Sequence, residues 1–408
     1  MPEYIDTAGD VNPPLAAGNH RAARRVLARE GIAPFGDLSV RQDRVAPAAM
    51  SLRGRAEPPV KRMAQHHDIV AIGTSAGGFH TLQSLLRGLP AELPAAVFIV
   101  MHVGSTSHLA QLLDQAGPLR VKEAECGEPI VPGRVYVAGP GRHLLLHDGH
   151  ILLRRGPREN MARPAIDPLF RSAACSFGAR VVGVVLSGAL NDGTAGLMAV
   201  KRCGGVAVVQ DPADAAVPSM PQSALRHVEV DHCVPIAAMP DLLARLAAEP
   251  AGKTPEIPLE IRIEAAIAAQ ELSDMSQNDR LGKPSRFGCP ECRGTLWEIA
   301  DGGTLRYRCH VGHAYSGEAL LAAQASDVHK LLRTLLRSHQ ERAELARRVA
   351  AAEPPDSNLA ALMSARAREY DRDAELMQQL LRERNSVPRG GARAADIADD
   401  GQQEEAIG

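Results

Sequence analysis

The sequence predicts an α/β fold with a doubly wound, mostly parallel sheet, followed by a small cysteine-containing module and an α-helical hairpin. Short apolar runs alternate with helical patterns between residues 66 and 248, as in sheets that are covered by helices. Several of these runs are almost continuous in valine and isoleucine, which is typical of strands buried on both faces. Beyond them, three cysteines cluster and two long segments have leucine at helical spacing.

The elements of the α/β region follow from these patterns in chain order. Strands are predicted at 68–73, 96–101, 134–137, 181–186, 205–210 and 233–236. Helices are predicted near 77–88, 106–115, 167–177, 193–203, 219–227 and 239–248. A hairpin is predicted over 144–153, because Asp148-Gly149 is a preferred two-residue turn between paired strands.

Composition divides the whole chain into six segments. They are a flexible Pro-, Ala- and Arg-rich extension at 1–64, the α/β domain at 65–248, a proline-containing linker at 249–285, the cysteine module at 286–316, the helical hairpin at 317–385 and a disordered acidic tail at 386–408. Within the hairpin, helices are predicted at 318–350 and 359–384, separated by Glu353-Pro354-Pro355-Asp356.

Charge and cysteine content exclude several classes of protein. The 46 basic and 48 acidic residues nearly balance, so net charge gives no reason to expect a nucleic-acid partner. No apolar run approaches the roughly 18 residues that cross a bilayer, and the amino terminus does not have the pattern of a secretory signal. The odd number of cysteines, seven, is typical of a reducing compartment. We therefore expect a cytoplasmic protein without membrane insertion.

A serine lies in the turn that follows the first predicted strand. The segment Gly73-Thr74-Ser75-Ala76-Gly77 connects this strand to a helix, which is the setting of a nucleophile elbow. The same glycine-rich turn is compatible with a phosphate-binding loop or with a turn that has no chemical role. The phosphate-loop interpretation is weaker, because a histidine rather than an acidic residue follows the second strand.

Three chemically useful side chains follow three strands of the predicted sheet. Ser75 follows the first strand, His102 the second, and Asp192 lies in the turn after the strand at 181–186. Because parallel strands end at one edge, these residues form a candidate catalytic triad: serine nucleophile, histidine base and aspartate orienter. The backbone N–H groups of Ala76 and Ala189 are candidate oxyanion donors. Taken singly, His102 is compatible with a satisfied strand-end histidine, and Asp192 with a helix N-cap.

Several motifs in this order resemble the catalytic domain of chemotaxis protein-glutamate methylesterases of the CheB type. They are Ile72-Gly73-Thr74-Ser75-Ala76-Gly77-Gly78, Met101-His102, Val121-Lys122-Glu123-Ala124, Gly127-Glu128, Pro132-Gly133, Tyr136-Val137-Ala138, Arg163-Pro164-Ala165-Ile166-Asp167, Leu186-Ser187-Gly188-Ala189-Leu190-Asn191-Asp192-Gly193, Gln210-Asp211-Pro212 and Met220-Pro221. The resemblance covers residues 67–240 and implies a Rossmann-like domain whose catalytic residues are Ser75, His102 and Asp192.

The resemblance also implies an activity and a partner. Such enzymes hydrolyse glutamyl γ-methyl esters on methyl-accepting chemotaxis receptors and deamidate certain receptor glutamines, without a catalytic cofactor. This sequence departs from the family pattern at Ala76, where a polar residue is frequent, and at Gly188-Ala189-Leu190, where Gly-Met-Gly is frequent. We also expect no phospho-acceptor receiver domain, since 64 residues are too few for a domain of roughly 120 residues.

The cysteine module has the ligand spacing of a zinc ribbon. Cys289 and Cys292 form one Cys-x-x-Cys pair, and Cys309 with His313 supplies the second pair of ligands. His310 is the alternative fourth ligand, and a metal-free fold is the alternative to a structural zinc ion. A tetrahedral shell of four protein ligands leaves no open position, so this metal would be structural.

The sequence therefore favours a receiver-less protein-glutamate methylesterase that requires no cofactor for catalysis. Two alternatives stay open: a serine hydrolase for another ester, and a non-enzymatic signalling scaffold with an inert esterase-like domain. Four arginines follow the predicted hairpin and either steer an acidic receptor helix or form a solvated basic rim. They are Arg154, Arg155, Arg158 and Arg163.

Overall fold

The computed structural model describes residues 66–102, 108–270, 276–301 and 304–386. The extension predicted at 1–64 and the tail predicted after residue 386 lie outside these residues. No helix in the described ranges combines the length and the apolar character that crossing a bilayer requires.

A parallel sheet of seven strands forms the centre of the described α/β domain. The strands in this domain are β1 Ile69–Thr74, β2 Ala96–Met101, β3 Arg120–Glu123, β4 Arg134–Val137, β5 His143–His147, β6 His150–Arg154, β7 Val181–Val185, β8 Val206–Gln210 and β9 His232–Val234. The sheet order is β3-β4-β2-β1-β7-β8-β9, with every neighbouring pair parallel. Strands β5 and β6 form a separate antiparallel hairpin, as predicted.

Helices cover both faces of this sheet. They are α1 Gly78–Gly88, α2 Leu109–Asp114, α3 Ile166–Phe177, α4 Thr194–Arg202, α5 Ser219–His227 and α6 Met239–Ala248. Because successive strand side chains point to opposite faces, β1 contributes Ile69 and Ala71 to one apolar core and Val70 and Ile72 to the other. The predicted doubly wound fold class is confirmed. Helix α2 is shorter than predicted, and residues 103–107 lie outside the described ranges.

The sequence analysis missed strand β3 at the edge of the sheet. This four-residue strand has the sequence Arg-Val-Lys-Glu, in which Val121 alone is buried. An edge strand pairs on one side and is covered incompletely, so it tolerates charged residues and shows no apolar run. The pattern used to find the central strands therefore could not detect it.

The prediction that 249–285 is a linker was wrong. The segment contains helix α7, Leu259–Ala268, and helix α8, Ser276–Leu281. Helix α7 is buried nearly all round, including Ile261, Ile263 and Glu264, and it packs against α3. The prolines that suggested a linker lie in a segment with regular structure, where Pro258 is the N-cap of α7. Upstream of it, the Thr254 hydroxyl accepts a hydrogen bond from the Ala179 N–H.

The cysteine module is a four-stranded antiparallel sheet. Its strands are β10 Gly282–Gly288, β11 Thr295–Asp301, β12 Thr304–Cys309 and β13 Ala314–Ser316, in that spatial order. The sheet therefore begins at Gly282 rather than at residue 286, because β10 pairs with β11 across the Cys289 turn. We refer to residues 282–316 below as the module.

Two long helices follow the module, as predicted from the leucine spacing. Helix α9 spans Gly317–Ala352 and helix α10 spans Asn358–Ser386. The Ser316 side chain caps α9 by accepting a hydrogen bond from the Ala319 N–H. Small residues rather than leucines are the most buried positions between the helices, which lets their backbones approach closely. They are Ala343, Ala346, Ala360, Ala367 and Ala374.

A buried network of ion pairs joins the module to the α/β domain. Arg308 of β12, fully buried, contacts Glu159 at 3.2 Å and Glu264 of α7 at 2.8 Å. Arg306 forms a second pair with Glu264, and Arg171 of α3 forms a second pair with Glu159. Charges that leave water at such a junction stabilise it only when every member is paired. The sequence analysis did not predict these ion pairs.

We expect Arg308→Met to destabilise the protein by about 3–5 kcal/mol, because removing this arginine leaves Glu159 and Glu264 buried with fewer cationic partners. Thermal and denaturant unfolding would measure the loss. The matched control is Arg337→Met: Arg337 is 82% exposed, and its ion pair among the residues that the structure describes is with Glu341, one turn along helix α9. We expect this control to leave the free energy of unfolding almost unchanged. Equal effects of the two substitutions would contradict the role of the network.

Candidate active site

The candidate catalytic residues follow three adjacent strands of the sheet. Strand β1 lies between β2 and β7. Ser75 comes directly after β1, His102 directly after β2, and Asp192 in the turn between β7 and α4. Since the three strands are parallel, their carboxyl ends meet at one edge, and the loops that leave them converge.

The turn at Ser75 depends on two glycines. Gly77 has φ +75°, a left-handed conformation that favours glycine. Gly188, in the turn after β7, lies so close to Ser75 that an added Cβ would be 3.0 Å from the serine Cβ and 2.0 Å from the Met220 sulfur. The Ser75 N–H donates to the Ser187 carbonyl at 3.0 Å, which ties the two turns together.

The structure brings Ser75, His102 and Asp192 into hydrogen-bonding distance. The Ser75 Oγ lies 3.1 Å from the His102 Nδ1, and the His102 Nε2 lies 2.8 Å from the Asp192 Oδ2. A neutral imidazole that donates from Nε2 to the carboxylate has an Nδ1 lone pair free to accept the serine proton. This arrangement is the one required of a serine nucleophile, its general base and the group that orients the base.

The Asp192 carboxylate is almost fully buried and is surrounded by hydrogen-bond donors. Besides His102, its Oδ2 accepts from the Ile166 N–H at the start of α3, at 2.7 Å. Its Oδ1 accepts from the Asn160 Nδ2 at 2.9 Å and from the Gly193 N–H at 3.0 Å. Burial alone would raise the pKa of Asp192, but these hydrogen bonds and the adjacent imidazole outweigh it and lower the pKa. Asp192 is therefore ionised, as the orienting role requires.

A second carboxylate, that of Asp167, lies beside the first. Its Oδ1 accepts from the Gly193 and Gly196 N–H groups at the start of α4, and its Oδ2 accepts from Asn160. Burial, together with the charge of Asp192, raises the pKa of Asp167 to about 7. The sequence analysis assigned no role to Asp167, although it lies in one of the quoted motifs, and it missed Asn160 entirely. Asn160 has a φ of +49°, and no pattern in the sequence indicates this backbone conformation.

The two candidate oxyanion donors lie in the turns after β1 and β7. Neither the Ala76 N–H nor the Ala189 N–H makes a hydrogen bond within the described ranges. Ala189 precedes Leu190, whose φ is +61°, so the chain turns sharply at this point. An unpaired N–H in a partly buried turn is available to a negatively charged oxygen.

The basic residues after the hairpin divide into two groups. Arg155 and Arg158 are exposed, whereas Arg154 and Arg163 are half-buried. Arg163 donates to the Gly156 carbonyl at 2.9 Å, so it helps to shape the loop that leads to Asn160. The exposed pair is free to meet an acidic ligand or solvent.

A cavity of about 350 Å³ lies between the α/β domain and the module. Asn160, Asp167 and Glu318 are among its lining residues, whereas Ser75, His102 and Asp192 do not line it. The cavity therefore lies behind the triad, on the side of the aspartate, and we do not assign the reacting group to it.

The four predicted metal ligands lie together in the module, with their ligand atoms within 4.8 Å of one another. The Cys309 Sγ lies 3.4 Å from the His313 Nδ1, and the Cys289 Sγ lies 3.7 Å from the same nitrogen. The Cys292 and Cys309 sulfurs are 3.5 Å apart. Tetrahedral zinc, with Zn–S of about 2.3 Å and Zn–N of about 2.0–2.1 Å, holds its ligand atoms about 3.5–3.8 Å apart. The residues therefore fit the ion.

The surroundings of His313 also fit a metal ligand. Its second nitrogen, Nε2, lies 3.2 Å from a Glu291 carboxylate oxygen, an arrangement that fixes the ring of a metal-bound histidine. His310, the alternative ligand, is exposed and packs against Gly294 instead of joining the group.

An alcohol, an imidazole and a buried carboxylate at the carboxyl edge of a doubly wound sheet define the class of α/β serine hydrolases. The model of the CheB methylesterase family matches residues 70–243. A putative protein-glutamate methylesterase/protein-glutamine glutaminase of Leptospira interrogans is 38% identical over 184 residues, which are 44% of this chain and 95% of that protein. The chain belongs to the CheB methylesterase family.

Other relatives are matched over less of their length. Protein-glutamate methylesterase/protein-glutamine glutaminase 2 of Anaeromyxobacter dehalogenans is 40% identical over 197 residues, and the match spans 48% of this chain and 58% of that protein. The crystal structure of the Thermotoga maritima CheB methylesterase catalytic domain is 35% identical, with a TM-score of 0.42 over 44% of this chain and 98% of that domain.

We expect Gly188→Ala to slow the reaction of Ser75 with a fluorophosphonate probe by about 10²-fold, because the added methyl group displaces the serine or the Met220 side chain. Labelling followed by intact-protein mass spectrometry would measure the rate. Gly252→Ala is the matched control, since an added Cβ there meets no atom within 4 Å. A folded Gly188→Ala protein that labels as fast as this control would show that the close approach is not required.

Proposed function

We propose that the protein is a protein-glutamate methylesterase that hydrolyses γ-methyl esters of glutamate on methyl-accepting chemotaxis receptors. The observation that carries the proposal is the hydrogen-bonded chain from Ser75 through His102 to Asp192, at 3.1 and 2.8 Å. Membership of the CheB methylesterase family supports the choice of substrate. The relatives named above combine methylesterase and glutaminase in their names, so we extend the proposal to the deamidation of receptor glutamines.

The proposed reaction begins with attack of the Ser75 Oγ on the ester carbonyl carbon while the His102 Nδ1 takes the serine proton. The carbonyl oxygen becomes negatively charged, and the N–H groups of Ala76 and Ala189 are our candidates to stabilise it. Collapse of this tetrahedral species breaks the bond to methoxide, which receives the proton from His102 and leaves as methanol. Asp192 stays ionised and stabilises the imidazolium that forms in between.

A water molecule then completes the cycle. His102 takes a proton from the water, whose oxygen attacks the acyl group on Ser75. Collapse returns the proton to the serine oxygen and releases the glutamate side chain. With a glutamine substrate the same steps release ammonia instead of methanol. None of these steps calls for a cofactor.

The proposed setting is the cytoplasm, where the methylated helices of such receptors lie. The sequence has seven cysteines, an odd number that is typical of a reducing compartment. Exposed Arg155 and Arg158 lie shortly before Asn160, which contacts Asp192, and would attract an acidic receptor helix. We expect no nucleic-acid partner, and the module arginines Arg306 and Arg308 are engaged in buried ion pairs.

We further propose that the module binds one zinc ion through Cys289, Cys292, Cys309 and His313. Four protein ligands would close its coordination shell, so the ion would supply folding stability and take no part in the reaction. The ligand separations and the Glu291 contact described above support this assignment.

The test of the proposed activity is methanol release from methylated receptor membranes. We expect Ser75→Ala to lower kcat by about 10⁶-fold, as loss of the serine does in other triads. Ser84→Ala is the matched control, because Ser84 lies exposed on helix α1. Equal rates in the wild type and Ser75→Ala would remove this serine from the mechanism. Release of no methanol, with normal fluorophosphonate labelling of Ser75, would favour a hydrolase for another ester. Absence of both methanol release and fluorophosphonate labelling would favour the non-enzymatic signalling scaffold.

The test of the metal assignment is elemental analysis of protein purified without chelators. We expect roughly one zinc per chain, lost in Cys289→Ser, because a hydroxyl is a poor ligand for zinc compared with a thiolate. Cys233→Ser, which replaces an exposed cysteine outside the module, is the control and should retain the metal. A wild-type protein that is folded and contains no zinc would end this proposal.

A further inference from the structure

The module contacts the loop at residues 158–160, whose Asn160 side chain donates a hydrogen bond to Asp192, the proposed catalytic aspartate. Residues 158–160 run alongside strand β13: the Ala314 N–H donates to the Arg158 carbonyl at 3.2 Å, and the Asn160 N–H donates to the Ala314 carbonyl at 2.8 Å. Glu159, between them, pairs with Arg308 of the module. The loop is therefore held to the module by backbone hydrogen bonds and by a buried ion pair.

The side chain of Asn160 connects this contact to the triad. Its Oδ1 accepts a hydrogen bond from the Ser316 N–H of β13 at 2.9 Å. Its Nδ2 donates to the Asp192 Oδ1 at 2.9 Å and to the Asp167 Oδ2 at 3.0 Å. A primary amide has two donor hydrogens and one acceptor oxygen, and all are used here. The Ser316 N–H fixes the position of the amide oxygen of Asn160, so the NH₂ group of the same amide is directed at the carboxylates of Asp192 and Asp167.

A second contact ties the module to the residue before the catalytic aspartate. The Ser316 hydroxyl donates to the Asn191 Oδ1 at 2.6 Å, and the Asn191 Nδ2 donates to the Glu318 carboxylate at 2.6 Å. Asn191 and Asp192 are adjacent in the turn after β7. The start of helix α9 therefore also contacts this turn.

Asn160 restricts the rotation of the catalytic carboxylate. The Asp192 Oδ2 must stay directed at the His102 Nε2, and a turn about the last side-chain bond would exchange the two oxygens or tilt both. The amide of Asn160 holds Oδ1 at the opposite side. We infer that Asn160 is a positioning residue for the triad and that the module, through Ser316, holds Asn160 in place. This inference rests on the proposed ester hydrolysis by Ser75.

The first experiment removes the Asn160 side chain while keeping its backbone conformation. Asn160→Gly tolerates the φ of +49° and retains the N–H that donates to Ala314. We expect kcat for methanol release to fall by about 10- to 10²-fold with KM unchanged, because an acidic side chain that orients a base acts after the substrate has bound. Asp148→Gly is the matched control: Asp148 also has a positive φ, 44°, and lies exposed in the β5–β6 turn.

A spectroscopic measurement separates positioning from loss of stability. The proton shared by the His102 Nε2 and Asp192 should give a strongly downfield ¹H NMR signal in the wild type and in Asp148→Gly. We expect this signal to broaden or shift in Asn160→Gly while the melting temperature changes little. An unchanged signal with an unchanged kcat would overturn the inference.

The second experiment tests the module side of the contact. Ser316→Pro removes the N–H that reaches Asn160 and suits the native φ of −70°, whereas Ser316→Ala removes only the hydroxyl. We expect the proline variant to lower kcat further than the alanine variant while zinc content stays unchanged. We also expect Asn160→Gly with Ser316→Pro to be no slower than Asn160→Gly alone, because both act through one hydrogen bond. Multiplied losses in the double variant would overturn the connection through Asn160.

The outcomes distinguish this inference from the proposed function. If Ser75→Ala releases no methanol while Asn160→Gly equals the wild type, the positioning role fails and the esterase assignment stands. If Ser75→Ala equals the wild type, the esterase assignment fails. The fluorophosphonate labelling rate of Ser75 and the NMR signal then decide the positioning role, since neither depends on the identity of the ester.

Discussion

The buried negative charge of Asp192 is the constraint on which the rest of the site depends. A carboxylate that leaves water without partners costs several kcal/mol, so a fold that buries one must aim donors at it. Here the Ile166 N–H at the start of α3 donates to the Asp192 Oδ2, and the Asn160 amide and the Gly193 N–H donate to Oδ1. The remaining direction on Oδ2 is the one that His102 occupies. The ring is thereby held with Nε2 towards the aspartate, so Nδ1 faces the serine.

The adjacent carboxylate of Asp167 makes this requirement stricter. Two buried carboxylates in contact with one amide cannot easily both be ionised, and the site resolves the conflict by separating their pKa values. The Asp192 pKa is lowered, since it gains the imidazole and the start of α3, whereas the Asp167 pKa is raised to about 7. Asp167 in turn accepts hydrogen bonds from the N–H groups of Gly193 and Gly196 at the start of α4, the helix that follows the turn containing Asp192. In the proposed reaction one carboxylate thus orients the base, and the other accepts hydrogen bonds from the backbone that follows it.

The convergence of Ser75, His102 and Asp192 could be predicted from the sequence because it depends on local patterns. Apolar runs locate the strands, and the carboxyl ends of parallel strands share an edge. The cysteine cluster was equally local, since its ligands are fixed by short spacings. The role of Asn160, the ion pairs of Arg308 and the burial of α7 could not be predicted in this way. Each depends on contacts between segments that are far apart in the sequence or on a conformation with no sequence signal, and the prolines around α7 indicated a linker instead.

The buried ion pairs between the module and the α/β domain explain why the two are held together. Three arginines and two glutamates are buried at their junction, and separating the surfaces would leave charged groups unpaired in an apolar setting. Such a junction opens only at a large cost, so partial loosening near the triad is disfavoured. Asn160 directly follows one of these glutamates and takes part in the junction through Ser316. A metal ion that is bound far from the reacting bond would therefore act on catalysis by keeping the module folded, because the folded module supplies the donor that fixes the orienting amide.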